Sequence, residues 1–353
     1  MNTFRSLTTA LGLVLLGLPA AAESGRVFIP EGSANSVLIV RAGTGEAVRR
    51  IDGVEAVHGL SGAPGVPYLV AGSYTEAPRD EIAAMAQPKG VSADDHAAHH
   101  TPAVKPLGPK DAGISIVTIL DAKTGDILRR IEVPGAVHHT AISPDGKFAV
   151  ATHPAGDGIS VIDLATFSVT GYVTTGAMPN YAVFGADPNL VYVSNTGNGT
   201  ISEVDLSRAI VRRNLIAGEG PEHMAAAAAT DRLYVADADA GRVLEVSLSD
   251  GETLRSVDIG GEIHGIGLSD DGTMLFVAGR GEGKLVAVDL SSGDRHETAL
   301  APEPYHLTVI PGSGTLFVSS RAEPKVWMID ASTLGERGTI SVEGEGHQMV
   351  ALP

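Results

Sequence analysis

Cysteine is absent from the sequence, and that absence removes several chemistries at once. Thiol nucleophiles, disulfides, iron–sulfur clusters, Cys-ligated zinc and the cupredoxin type of copper centre are all excluded. A tightly held transition metal would have to use histidine and carboxylate, with methionine as an extra. Positive charge is also scarce: 25 Lys and Arg stand against 42 Asp and Glu, a formal net charge of −17. So acidic a chain lacks the clustered cations that nucleic-acid phosphates require. Aromatic residues make up only 4%, yet 43% of the chain is hydrophobic, enough to bury a large core. Long apolar runs are missing apart from residues 7–19, which fall short of the ~18 residues read as a spanning helix. That run follows Arg5 and precedes Ala20, Ala21 and Ala22, the layout of a signal peptide over residues 1–22. The mature chain, 23–353, is therefore expected to be soluble and exported, in a bacterial periplasm, with no membrane span.

What is present in quantity is glycine, histidine and repetition. From His138 the chain reads HHTAISPDGKFAVATHPAGDGISVIDLATFSVTGYVTTG, and from His264 it reads HGIGLSDDGTMLFVAGRGEGKLVAVDLSSGDRHETALAP. Comparable copies begin at Asn180, His223 and His306. Each holds four short strands. The second is β-branched or aromatic (LVYVSN, RLYVAD, MLFVAG, TLFVSS), and the third ends in a hydrophobic residue followed by Asp (VIDL, VAVDL, WMID). Short strands with Gly, Asp and Pro punctuation at a fixed period of about 42 residues signal a β-propeller. Residues 26–57 supply only the second to fourth strands of a blade, and residues 347–353 only a first strand. The two ends therefore predict one composite blade that closes the ring. The expected fold is all-β, a seven-bladed propeller in a single domain over 23–353, with six or eight blades as the alternatives.

The segments Ala141-Ile142-Ser143-Pro144-Asp145-Gly146 and Val191-Tyr192-Val193-Ser194-Asn195 resemble the repeats of the YVTN-type β-propeller family, which includes YncE-like and cytochrome d1-like propellers. The resemblance covers essentially the whole mature chain. It implies the fold strongly and function hardly at all, because such propellers include lactonase-like, haem d1-binding and metal-handling members.

One column of the repeat is rich in histidine: His58, His138, Asn180, His223, His264, His306 and His347 open the first strands. From 138 onward the intervals are 42, 43, 41, 42 and 41 residues. The first strand of a blade lines the central channel, so the pattern predicts six imidazoles at one level, aimed at one axis. Imidazole is a common ligand for zinc and copper. Duplication could have copied one structural His six times, but clustered imidazoles repel once protonated and cost stability unless something uses them. Asn180, the odd member, is read as marking where a site opens. His139, next to His138, is expected to point away from the axis by the two-residue period of a strand, and His296 is read as a surface residue.

The blade beginning at His58 runs 80 residues to the next His of the column. It therefore carries an insertion, 74–113, between its second and third strands, on the face where the first strands begin. The insertion contains Asp94, Asp95, His96, His99 and His100, a metal-capturing composition, and reads as a mobile loop. A solvated linker is the bland alternative. His153 and Asp237, from matching loops of later blades, could complete a metal shell. Arg280 and Arg321 could instead clamp an anionic ligand.

These features favour a binding protein over an enzyme. The leading expectation is a periplasmic metal chaperone or store, with Zn(2+) first and Cu(2+) next. It resembles the periplasmic zinc-metallochaperone propellers in overall design. A periplasmic solute-binding protein or a metalloenzyme would receive the ion. The alternatives are a haem d1-type tetrapyrrole-binding propeller, whose propionates Arg280 and Arg321 would hold, and a lactonase-like metal-dependent hydrolase. Nitrous oxide reductase-like copper chemistry ranks last, because no Cys-containing second domain is present to deliver electrons.

Overall fold

In the computed structural model, residues 25–76, 108–109, 112–227 and 230–353 are described. They form seven four-stranded antiparallel sheets around one axis. Blade 1 comprises β4 (Val57–Gly62), β5 (Tyr68–Ser73), β6 (Ile114–Asp121) and β7 (Ile127–Pro134). Blades 2 to 6 begin with β8 (Thr140–Ile142), β12 (Pro179–Phe184), β16 (Pro221–Ala227), β20 (Ile266–Leu268) and β24 (Pro304–Ile310). Blade 7 is composite: the C-terminal β28 (Val350–Leu352) pairs with β1 (Arg26–Glu31), followed by β2 (Ser36–Arg41) and β3 (Ala47–Asp52). The ring is thus closed as the sequence pattern predicts, and the insertion lies between the second and third strands of blade 1.

The strand chemistry follows from position in the blade. Second strands are covered by neighbouring sheets on both faces, so they read as unbroken apolar runs rather than alternating ones. In LVYVSN, every residue from Val191 to Asn195 is buried. Fourth strands lie at the rim and alternate, as in IVRRNLI over Ile210–Ile216. Between sheets the core is continuous. Val150, Ile159 and Val161 of blade 2 pack on Ala182, Val191 and Val204 of blade 3, each buried apolar side chain contributing ~1.5–3 kcal/mol. The recurrent Asp after the third strand closes the next turn. Asp121 Oδ1 accepts from the amides of Lys123 and Thr124 at 2.8 and 2.7 Å. Asp163, Asp289 and Asp330 do the same two and three residues on.

Candidate metal centre

The first strands do not enter the channel as regular strands. In blade 2 the amide of His138 donates to Thr152 O at 3.0 Å, and the amide of Thr152 donates to His139 O at 2.9 Å. Two residues therefore face one, which defines a β-bulge. Blade 5 repeats it at His264 and Gly265 opposite Ala278. Register shifts place the same feature in blades 1, 3, 4 and 6. Both bulged residues turn inward, so each blade offers the axis two side chains instead of one. This corrects the sequence expectation for His139, whose imidazole joins the cluster because the two-residue period fails there.

The bulges sort the axial residues into two layers. The first, nearer the start of the strands, holds His58, His138, Asn180, Glu222, His264, Tyr305 and His347. The second, one residue deeper, holds Gly59, His139, Tyr181, His223, Gly265, His306 and Gln348. The six predicted histidines do meet at the axis, but not at one level. His58, His138, His264 and His347 lie in the first layer, and His223 and His306 lie in the second with His139.

The second layer forms a compact triad. His139, His223 and His306 come from alternate blades, with ring centroids 5.0, 4.7 and 5.6 Å apart. One nitrogen from each lies within 4.8 Å of the others. The Nε2 atoms of all three are buried without a hydrogen-bond partner. His139 Nδ1 lies 2.9 Å from Asn180 O; donating there fixes the tautomer and leaves Nε2 with its lone pair towards the axis. The acceptor is the Asn180 main-chain carbonyl; the Asn180 side-chain Oδ1 is itself buried without a partner. Two glycines let the triad close. A Cβ on Gly59 would sit 2.7 Å from His139 Cα, and one on Gly265 would sit 2.5 Å from Tyr305 O and 2.6 Å from Leu307 N. The blades beside His139 and His306 therefore approach too closely for any side chain.

Around the triad the rings stack. Tyr181 lies 4.5 Å from His223, Tyr305 lies 3.8 Å from His264 at an interplanar angle of 7°, and His58 lies 3.9 Å from His347. Burial, and after it the neighbouring imidazoles, hold His58, His139, His223, His264 and His306 well below the ordinary imidazole range. His347 is brought down to about 4 by burial and by Arg321. The cluster is therefore neutral at pH 7, the state a metal ion requires of its ligands. Burial pushes Glu222 the other way, upwards. Its Oε2 lies 3.0 Å from His264 Nδ1, off the hydrogen-bonding direction, and has no other partner.

Among the described residues, seven buried side-chain nitrogen or oxygen atoms lack a hydrogen-bond partner, and all seven belong to these two layers. Unpaired buried polar atoms each cost ~1–3 kcal/mol, and proteins rarely concentrate them. Their convergence makes the axis the candidate ligand position.

The remaining predicted site residues lie elsewhere. His153 and Asp237 end second strands and are fully buried. His153 contacts Gly135 O at 3.1 Å through Nδ1 and Ser160 Oγ at 2.8 Å through Nε2. Asp237 accepts from the amides of Glu219 and Gly220 and pairs with Arg242 at 2.8 Å. Asn195 fills the same position in blade 3 and ties the same loop through Gly176. These side chains are spent on joining neighbouring blades, so the expected metal-shell role for His153 and Asp237 is withdrawn. Arg280 pairs with Glu262 at 2.6 Å, and Arg280 and Arg321 lie over the Tyr305 ring at 5.7 and 5.3 Å. His296 is exposed on the outer strand of blade 5. Asp94, Asp95, His96, His99 and His100, and the signal-peptide reading of 1–22, fall outside the described residues.

No known protein-family model matches the chain. It is similar to the uncharacterized protein YncE of Salmonella typhimurium, 31% identical over 84 residues, 24% of each chain. A YncE of Salmonella typhi matches to the same extent. The chain thus spans about a quarter of the length of the curated relatives it matches. Among solved structures, the Pseudomonas aeruginosa periplasmic gluconolactonase PpgL superposes with a TM-score of 0.69 at 15% identity, covering 93% of this chain and 99% of that one. Kuenenia stuttgartiensis hydrazine synthase superposes with a TM-score of 0.67 at 13% identity, over 88% and 94%. Likeness at that identity extends to the propeller fold alone.

Proposed function

We propose that this propeller binds a divalent transition-metal ion on its axis through His139, His223 and His306, and serves as a metal chaperone or store. The observation that carries the reading is the convergence of three neutral, unpartnered, buried Nε2 atoms. Three imidazoles with a fourth position left to water or another ligand suit Zn(2+), and Cu(2+) stands close by affinity order. A net charge of −17 favours the approach of cations. No helix among the described residues is long and apolar enough to cross a membrane. We place the protein in the periplasm on the strength of its N-terminal sequence, with a solute-binding protein or a metalloenzyme as recipient of the ion.

A second reading rests on Glu222. A three-His ion with an open position beside a carboxylate of raised pKa could activate water, as a lactonase-like hydrolase would require. The tetrapyrrole reading is weaker, because axial rings only 3.8–6.2 Å apart leave no slot for a macrocycle. The test is metal analysis of protein purified from a periplasmic fraction, repeated on His223→Ala and on the His139→Ala/His306→Ala pair. Bound zinc or copper that both variants lose supports the reading. A folded wild-type protein that takes up neither metal refutes it. Turnover of a lactone by the zinc-loaded protein, lost in Glu222→Gln, would move the conclusion to the hydrolase.

A further inference from the structure

Gln348 shares the second layer with the triad, carried there by the C-terminal segment just before β28. Its side-chain amide is used on three other blades at once. Oε1 accepts from the amides of Leu60 in blade 1 and Thr140 in blade 2, at 3.2 and 3.3 Å. Nε2 donates to Thr140 O at 3.0 Å and reaches the Tyr181 hydroxyl of blade 3 at 3.4 Å. Leu60 and Thr140 lie on first strands, the inner edges of their sheets, where main-chain groups facing the channel have no strand to pair with. A side chain that serves both the N–H and the C=O of Thr140 must accept and donate, which an amide does and a carboxylate does not.

Resting on the metal reading above, we infer that Gln348 is a positioning residue for the triad, acting through Thr140 on His139 and through Tyr181 on His223. Thr140 follows His139 directly, so holding its N–H and its C=O fixes the backbone that carries the His139 ring. Little slack exists there: a Cβ on Gly59 would sit 2.8 Å from Thr140 N as well as 2.7 Å from His139 Cα. Gln348 Oε1 bridges that same junction, taking one amide from each blade. Tyr181 carries the second effect. Its ring lies 4.5 Å from His223 at an interplanar angle of 25°, and 4.7 Å from His139, so its position sets the room both imidazoles have. His306 is held within its own blade, where its amide donates to Ser319 Oγ at 3.1 Å. Beyond Gln348 the channel widens into a cavity of about 620 Å³, lined by Leu60, Thr140, Val183, Val309 and Gln348 among others, and by none of the triad. The amide is thus also the partition between the imidazoles and a space wide enough for water.

The experiment compares wild-type protein with Gln348→Met, which keeps length and removes both hydrogen-bonding functions. Zinc affinity is read by competition with a chromogenic chelator, and ligand geometry by the visible absorption of Co(2+)-loaded protein. Affinity should fall ~10–100-fold, the range for removing a group that orients a metal ligand, and the Co(2+) spectrum should change shape. Gln348→Asn, one methylene too short to span three blades, should do the same and decides the matter if Gln348→Met fails to fold. Asp237→Ala, a blade-joining change away from the axis, controls for lost stability. Unchanged affinity or an unchanged Co(2+) spectrum in a folded Gln348 variant, or an equal loss in Asp237→Ala, overturns the positioning role and leaves the triad standing. Wild-type protein binding no zinc would instead sink the metal reading on which this inference rests.

Discussion

Metal-free protein should lose stability steeply as pH falls from about 6.5 to about 4, and His153 shows how much one group contributes. Burial holds its imidazole at about 4 in the folded protein, against ~6.5 for an imidazole in water. The folded state therefore binds this proton more weakly than the unfolded chain does. Between those two values the unfolded chain carries more protons, so stability falls as pH falls through the window and levels off below it. From pH 7 to pH 5 the loss is about 2 kcal/mol for one such group, rising to about 3 kcal/mol at pH 4. His347, also held at about 4, adds a similar amount. The other axial imidazoles are displaced in the same direction. Even two groups approach the ~5–15 kcal/mol net stability typical of a domain. Urea unfolding of chelator-treated protein at pH 7, 6, 5 and 4.5 measures the slope directly. His153→Asn, the residue found at the matching Asn195, should reduce it by about one proton through that window without touching the axis. A midpoint that stays flat from pH 7 to pH 5 would refute the claim that the cluster is held neutral by burial.

Because the triad is already neutral at pH 7, zinc binding there should release fewer than about 0.5 protons, read by calorimetry in buffers of differing ionisation enthalpy. Gly265→Ala places a Cβ 2.5 Å from Tyr305 O; it should cost at least ~1–3 kcal/mol in urea unfolding and weaken zinc binding by displacing His306. Asp237→Ala strands the amides of Glu219 and Gly220 and the Arg242 guanidinium; it should cost ~2–4 kcal/mol while leaving zinc affinity unchanged, because Asp237 joins blades and does not face the axis.

The propeller was legible in the sequence because its signals are redundant. Every blade repeats the apolar second strand and the hydrophobic-Asp turn, so an error in one copy is outvoted by the others. The composite blade was equally plain, since residues 26–57 lack a first strand and residues 347–353 hold only one. The site was legible only to within one residue. Aligning the copies on histidine merged two positions, and a shift of one residue along a strand changes which side chain stands at a given depth. His153 and Asp237 misled for another reason. A polar loop residue reads as available for ligation until its hydrogen-bond partners are seen, and both are fully engaged.

A trace of the two layers was nonetheless present in the spacing. Intervals of 43 and then 41 residues flank His223, whereas the bulge register gives 42 on both sides when Glu222 takes its place in the column. The irregularity was the offset between layers, and it points to the acidic residue that the histidine pattern concealed. A repeat with one inward side chain per blade could give the axis seven donors at one depth. The bulge gives it fourteen positions at two depths, and the sequence fills the deeper one with histidine in alternate blades and glycine where backbones must meet. Such a division lets one layer hold neutral, close-set imidazoles while the other carries the single carboxylate, a distinction that seven equivalent histidines could not have made.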